Sequence, residues 1–310
     1  MWVLLAFVSA IFLGFYDIAK KKSLVGNSVL TVLFCNTLFC AIIFMPFIAI
    51  SQFLPNIVEG SIFDASLKLH FTSSETYGIT NQVKAHLLVI VKAFIVLSSW
   101  ILGYFALKHL PITIAGPINA TRPVLVLVGA VLLFGERLNW CQWGGVTISI
   151  FSLFLLSLSG RKEGIDFRKN RWIFILFGAV IMGAVSGLYD KFIMKQLPPL
   201  FVQSWFNIYQ VAIMGSVLLF MNRYTTAKFE WRWWIVLISI FISIADFAYF
   251  YALSYDDALI AVISMIRRGS VIVSFSAGAL IFKEKNLRAK AFDLVLILIG
   301  LALLCWGSIK

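Results

Sequence analysis

Apolar residues occupy the chain in about ten long stretches: 2–18, 29–50, 86–107, 112–134, 141–159, 172–190, 199–221, 232–253, 258–282 and 289–307. Short polar segments separate them. Within each stretch the apolar residues are continuous rather than alternating with period two, which predicts helices and not the strands of a barrel. Each is close to the roughly 20 residues that carry a helix across about 30 Å of hydrocarbon. The expected fold is an all-α polytopic membrane protein with ten transmembrane helices.

The pattern also repeats. Gly14-Phe15-Tyr16-Asp17, at the end of the first stretch, returns as Gly187-Leu188-Tyr189-Asp190 at the end of the sixth. Phe105-Ala106-Leu107 ends the third and Tyr251-Ala252-Leu253 the eighth, while Gly135-Glu136-Arg137 follows the fourth and Lys283-Glu284-Lys285 the ninth. The expected organisation is a five-helix repeat over residues 1–160, a charged connector over 161–171, and a second five-helix repeat over 172–310. An odd number of spans per half turns the second half upside down. Transporters use inverted repeats of this kind to build one site that opens alternately to two sides. The polar loop 51–85 has no counterpart in the second half and is either functional or surface decoration.

Composition agrees with a membrane location. Of the 310 residues, 61% are hydrophobic and 13% charged, against about half apolar and a quarter charged in a soluble domain. The formal charge of +12 raises the question of a nucleic-acid partner, but no basic face or RNA-type motif accompanies it. The basic residues lie mostly in loops, where they set topology. Sixteen of the 26 fall in the loops after the odd-numbered stretches, six on the other side and four inside the stretches. This bias places both termini outside. Cys35, Cys40, Cys141 and Cys305 show no CxxC pairing, and His70, His86 and His109 lack metal-ligand spacing, so neither a disulfide nor a metal site is expected. The first stretch has a cleavage-like Val8-Ser9-Ala10 but no basic segment before it, and it is expected to stay as a helix.

The four basic residues inside the stretches are Lys92, Arg122, Arg267 and Arg268. Each costs about 2.5–3.5 kcal/mol at a helix centre on insertion scales. Lys92 lies near the end of its stretch, where its amine can snorkel. Arg122-Pro123 and Arg268-Gly269 occupy matching places in the two halves, and two-fold arginines near the midplane suit a shared anion site. Pro111, Gly116, Pro117 and Pro123 interrupt the fourth stretch at that depth, and Asn119 lies one turn before Arg122. The alternative is structural: the arginines pair with carboxylates or carbonyls, and Asp246 is the obvious partner. Asp17 and Asp190, next to Tyr16 and Tyr189, are either interfacial ion pairs with Lys20 and Lys191 or gating and coupling groups. Trp100, Tyr104, Tyr249 and Tyr251 either line a pocket or belong to an interfacial aromatic belt.

Pro123-Val124-Leu125 through Phe134-Gly135-Glu136-Arg137-Leu138, followed by Gln142 and Gly144-Gly145, resembles the signature of EamA-type members of the drug/metabolite transporter superfamily. The resemblance spans the chain as two EamA-like five-helix repeats. It implies transport, places both termini inside and leaves the substrate open. The buried arginines are no part of that signature. The expected function is a secondary transporter of a small polar metabolite, an organic anion or a carboxylate-bearing zwitterion, working by alternating access in the plasma (bacterial inner) membrane as a monomer or homodimer. No cofactor is expected, and no Walker A motif suggests ATP drive. A flippase for lipids or lipid carriers is the alternative. An intramembrane enzyme is remote, because no nucleophile–base or clustered acid–histidine pattern appears.

Overall fold

A computed structural model describes residues 2–53, 82–125, 139–161, 167, 169–194, 196–222, 229–253, 263, 266–284 and 287–309. Ten helices run through them: α1 (Trp2–Ser23), α2 (Val29–Phe53), α3 (Gln82–His109), α4 (Ile112–Ala120), α5 (Trp140–Arg161), α6 (Arg171–Met194), α7 (Pro199–Asn222), α8 (Trp233–Leu253), α9 (Ser270–Leu280) and α10 (Leu287–Ile309). Most of loop 51–85, most of the connector, the Gly135-Glu136-Arg137 motif and Lys285 lie outside the described residues. Five helices, α1, α2, α3, α6 and α8, are long and apolar enough to cross a membrane. Large apolar side chains such as Phe7, Phe94, Phe154, Phe174 and Phe292 are exposed on the outside of the bundle. That distribution suits a hydrocarbon solvent.

The helix starts show why elements begin where they do. Asn139 and Gln142 cap α5 reciprocally: the Gln142 N–H donates to Asn139 Oδ1 and the Asn139 N–H to Gln142 Oε1, both at 2.9 Å. Two otherwise orphaned donors are thereby satisfied. Asn170 Oδ1 accepts from the Trp172 N–H at the start of α6, and Pro199 opens α7, where its missing N–H costs nothing. The turn after α1 passes through Gly26 at φ 76°, a conformation that other L-residues reach only with strain.

Consecutive helices run in opposite directions. The C-terminal end of α1 meets that of α3 through the Tyr16–Tyr104 hydroxyl contact. The end of α3 meets the start of α6 where His109 stacks on Trp172 with ring centroids 3.7 Å apart. Helices α1 and α6, which carry the two GxYD motifs, therefore point opposite ways. The packing pairs have the same exchange built in. Helix α1 lies along α8 as α6 lies along α3, α7 touches α3 as α2 touches α8, and α2 pairs with α7, α4 with α9 and α5 with α10. Small residues permit the close crossings. A Cβ on Gly14 would strike Val273 of α9, and one on Gly300 would strike Gly145 O at 2.9 Å.

One end of the bundle is tied polar-to-polar. Asn27, after α1, donates to Ser23 O and Glu230 O and accepts from the Glu230 N–H at 2.7 Å, fastening α1 to the start of α8. Lys21 donates to the carbonyls of Leu107 and Leu110. At the same end the Glu284 carboxylate accepts from the N–H groups of Ile112 and Thr113 and from the Thr113 hydroxyl, capping α4 from beyond α9. Lys290 donates to Thr113 Oγ1 at 3.0 Å and is fully buried. Expected as one of the loop charges that set topology, it is instead part of this interior clasp.

Candidate functional site

The two arginine motifs sit at interruptions of their helices; of the four residues expected to interrupt the fourth stretch, Pro111 and Pro123 flank α4, while Gly116 and Pro117 lie within it. Helix α4 continues through Gly116 and Pro117 and ends at Thr121. Pro123 has no N–H to offer Asn119 O, and the chain tightens there: the Thr121 N–H and hydroxyl both turn to Ile118 O, at 3.2 and 2.7 Å. Arg122 begins the helical segment that follows, described through residue 125. In the ninth stretch, residues 266–268 are helical, Gly269 makes a turn, and α9 starts at Ser270. A Cβ on Gly269 would lie 2.8 Å from Ile266 O, so the break needs glycine. Arg122 thus follows one half-helix, and Arg268 precedes the other.

The two arginines and Arg267 lie close enough to act on one another electrostatically. Both Arg122 and Arg268 are partly buried. The Arg122 guanidinium rests against α6 at Gly183, where any side-chain carbon would overlap it. Its Nε is enclosed and without a hydrogen-bond acceptor, as is Nε of Arg267. Arg267 is otherwise engaged: it pairs with Asp246 of α8, and its Cζ lies 4.0 Å over the ring of Tyr249.

Lys92 does not snorkel. Its side chain is 2% exposed and forms an ion pair with Asp190 across the α3–α6 contact. The rings of Phe206 and Phe250 each lie 5.1 Å from its amine. Removing an amine from water this fully requires a partner, and a carboxylate on the facing helix supplies one. Asp190 therefore reaches inward to Lys92; the expected pair with Lys191 lies outside the described side chains. Asp17 behaves as the simpler expectation had it, pairing with Lys20 at 2.9 Å within α1. The Lys20 amine also lies 4.4 Å from the Tyr16 ring and 5.1 Å from that of Tyr104.

Of the four aromatics, Tyr104 and Tyr249 are interior, at 1% and 8% exposure, and do not belong to a belt. Trp100 packs edge-on to Phe206, one layer behind Lys92. Tyr251 stacks with Phe247 and is partly buried. Tyr189 donates to Leu88 O, which holds α6 to α3 beside the Lys92–Asp190 pair. Asn119, on the last turn of α4, is partly buried.

Three features escaped sequence reasoning. Gly183 is legible only once Arg122 is placed against it. The Glu284 cap joins segments 171 or more residues apart. The third was visible in principle: Gln203, Asn207 and Gln210 are spaced to share one face of α7, and all are buried. Gln203 Oε1, Asn207 Nδ2 and both Gln210 amide atoms lack hydrogen-bond partners, as does Nδ2 of Asn36 on the packed α2. Among the described residues no group of three or more His, Cys, Asp or Glu is placed to hold a metal.

The comparisons with known proteins agree with this architecture. A protein named only as an uncharacterized transporter, from Archaeoglobus fulgidus, is 23% identical over 197 residues, which is 63% of this chain. The match spans 60% of that relative's own length. A solved crystal structure superposes with a TM-score of 0.63 at 15% identity, covering 97% of this chain and 95% of the other, a likeness of fold alone. Residues 1–158 match the EamA-like transporter family. With half the chain matched and a helical multi-pass bundle behind it, the protein belongs to the EamA-like transporter family.

Proposed function

We propose that the protein is a secondary transporter that moves a small organic anion, or a zwitterion with a carboxylate, by alternating access around Arg122 and Arg268. One observation carries this reading. The two arginines come from helices exchanged between the halves, lie near one another, and make no ion pair among the described residues. A guanidinium left without an anion in a membrane interior is expensive, and its planar donors match carboxylate and phosphate oxygens. In this proposal residues 1–160 and 172–310 are the two inverted repeats, and their reversed helix directions and exchanged packing support it.

Alternating access needs contacts that part on each side. Tyr16 holds α1 to α3 at one end, beside the Asp17–Lys20 pair of α1, and Tyr189 and Asp190 hold α6 to α3 nearer the other. We assign these as the two gates. Lys92, Arg267, Asp246, Trp100 and Asn119 then form the surround of the central pair. The charge bias places the tied end, with the loops after α1, α3 and α5, in the cytoplasm and both termini outside, in the plasma membrane.

Thermal unfolding of the purified protein against a panel of metabolites tests the reading, because a ligand that binds only the folded state raises the midpoint. Anions or zwitterions are expected to raise it. Stabilisation by cations or neutral compounds alone would contradict it. Measuring lipid scrambling in vesicles alongside solute flux separates this transporter from a flippase.

A further inference from the structure

We infer that the central site is built for a dianion, a solute carrying two negative charges such as a dicarboxylate or a phosphate monoester; this rests on the anion-site reading above and narrows it. Four cations approach the centre: Lys92, Arg122, Arg267 and Arg268. The described carboxylates that reach them are already committed, Asp190 to Lys92 and Asp246 to Arg267. Asp17, which also acts electrostatically on Arg122 and Arg268, is bound to Lys20. Arg122 and Arg268 remain, two positive charges without an ion-pair partner among the described residues.

A monoanion would neutralise one of them and leave the other unpaired in a low-dielectric interior, where the cost of an uncompensated charge is highest. Water cannot supply the missing charge. A second carboxylate or a second phosphate charge can, because a phosphate monoester carries about −1.5 to −2 at neutral pH. The geometry provides donors to match. Arg122 Nε is enclosed without an acceptor, and Gly183 leaves room for the whole guanidinium against α6. Arg267, clamped between Asp246 and the Tyr249 ring, still has a free Nε. Among the described residues the site offers two net charges and more donors than one carboxylate can use.

The test compares affinities of the full-length purified protein for solutes matched in shape and differing by one charge. Succinate and monomethyl succinate form the carboxylate arm; glycerol 3-phosphate and its phosphate methyl ester, a diester with one negative charge, form the phosphate arm. The preference of each dianion over its partner is expected to be at least tenfold in one arm, and that arm identifies the chemistry. In R268Q, or in R122Q should the first fail to fold, the preference is expected to fall to threefold or less. Equal binding of dianion and monoanion by the wild type, or a preference that survives in the variants, overturns the dianion inference and leaves the anion site standing. Failure of every anion to bind overturns both.

Discussion

Asp190→Asn keeps the size of the side chain on α6 and removes the charge that faces Lys92. Lys92 is then left 2% exposed, its amine ringed by Phe206 and Phe250. Unit charges about 4 Å apart attract by about 4 kcal/mol at an effective dielectric of 20. Part of that attraction offsets the desolvation of both ions, so the pair itself adds little net stability. Removing one partner is a different matter: a buried ion without its counter-ion costs about 3–5 kcal/mol. The expected loss for Asp190→Asn is at the lower end of that range, because the carboxylate is still 13% exposed. Lys92→Met together with Asp190→Asn removes both charges and should recover most of the loss. Reversible unfolding in mixed detergent micelles, measured for the two single variants and the double, gives the coupling directly. We expect about 2–3 kcal/mol, near the top of the range for contacting residues. A coupling below about 0.5 kcal/mol would mean that Lys92 and Asp190 do not pair, and the charge balance at the centre would have to be redrawn.

Glycine substitutions probe the seat of Arg122. Gly183→Ala is expected to lower transport at least tenfold by displacing the guanidinium, whereas Gly187→Ala, with nothing within 4 Å of the added carbon, should leave transport within twofold; equal effects in a flux assay would refute the seat. Glu284→Gln removes a charged acceptor from the Ile112 and Thr113 N–H groups and should cost about 1.5–3 kcal/mol. Hydrogen exchange of residues 112–116 should then rise, and unchanged protection would show that the cap contributes little.

The number and limits of the helices were legible in the sequence because lipid imposes a simple rule: a spanning segment must be apolar throughout and must satisfy its own backbone. The stretch 199–221 became Pro199–Asn222, and 172–190 became Arg171–Met194, extended by one turn beyond Asp190. GxYD marks the end of a helix twice, in α1 and α6, which is the signal the proposed halves rest on. Pro111 and Pro123 flank α4 as expected, but Gly116 and Pro117 do not break it, because proline inside a helix can be absorbed when neighbouring helices hold the segment; Gly116 packs on Val271 and Ser274 of α9. The arginines were found from cost alone, since charge in an apolar run needs a reason. Asp246, expected as an arginine's partner, does pair with Arg267, whereas the partner of Lys92 was not legible, because Lys92 and Asp190 are 98 residues apart. No local pattern reports which carboxylate faces which amine across two helices. Gln142, quoted in the sequence as part of a family resemblance, turned out to have a local job, capping α5 with Asn139.

Flux is the direct measure of the central claim, that Arg122 and Arg268 together form the substrate site. The assay is uptake of the stabilising anion into proteoliposomes by the wild type, R122Q and R268Q, with each variant shown to be folded by its unfolding transition. One hydrogen bond to a charged group contributes about 1.5–3 kcal/mol, so each variant is expected to lose about ten- to a hundredfold in uptake. Uptake at the wild-type rate by both folded variants would contradict the account.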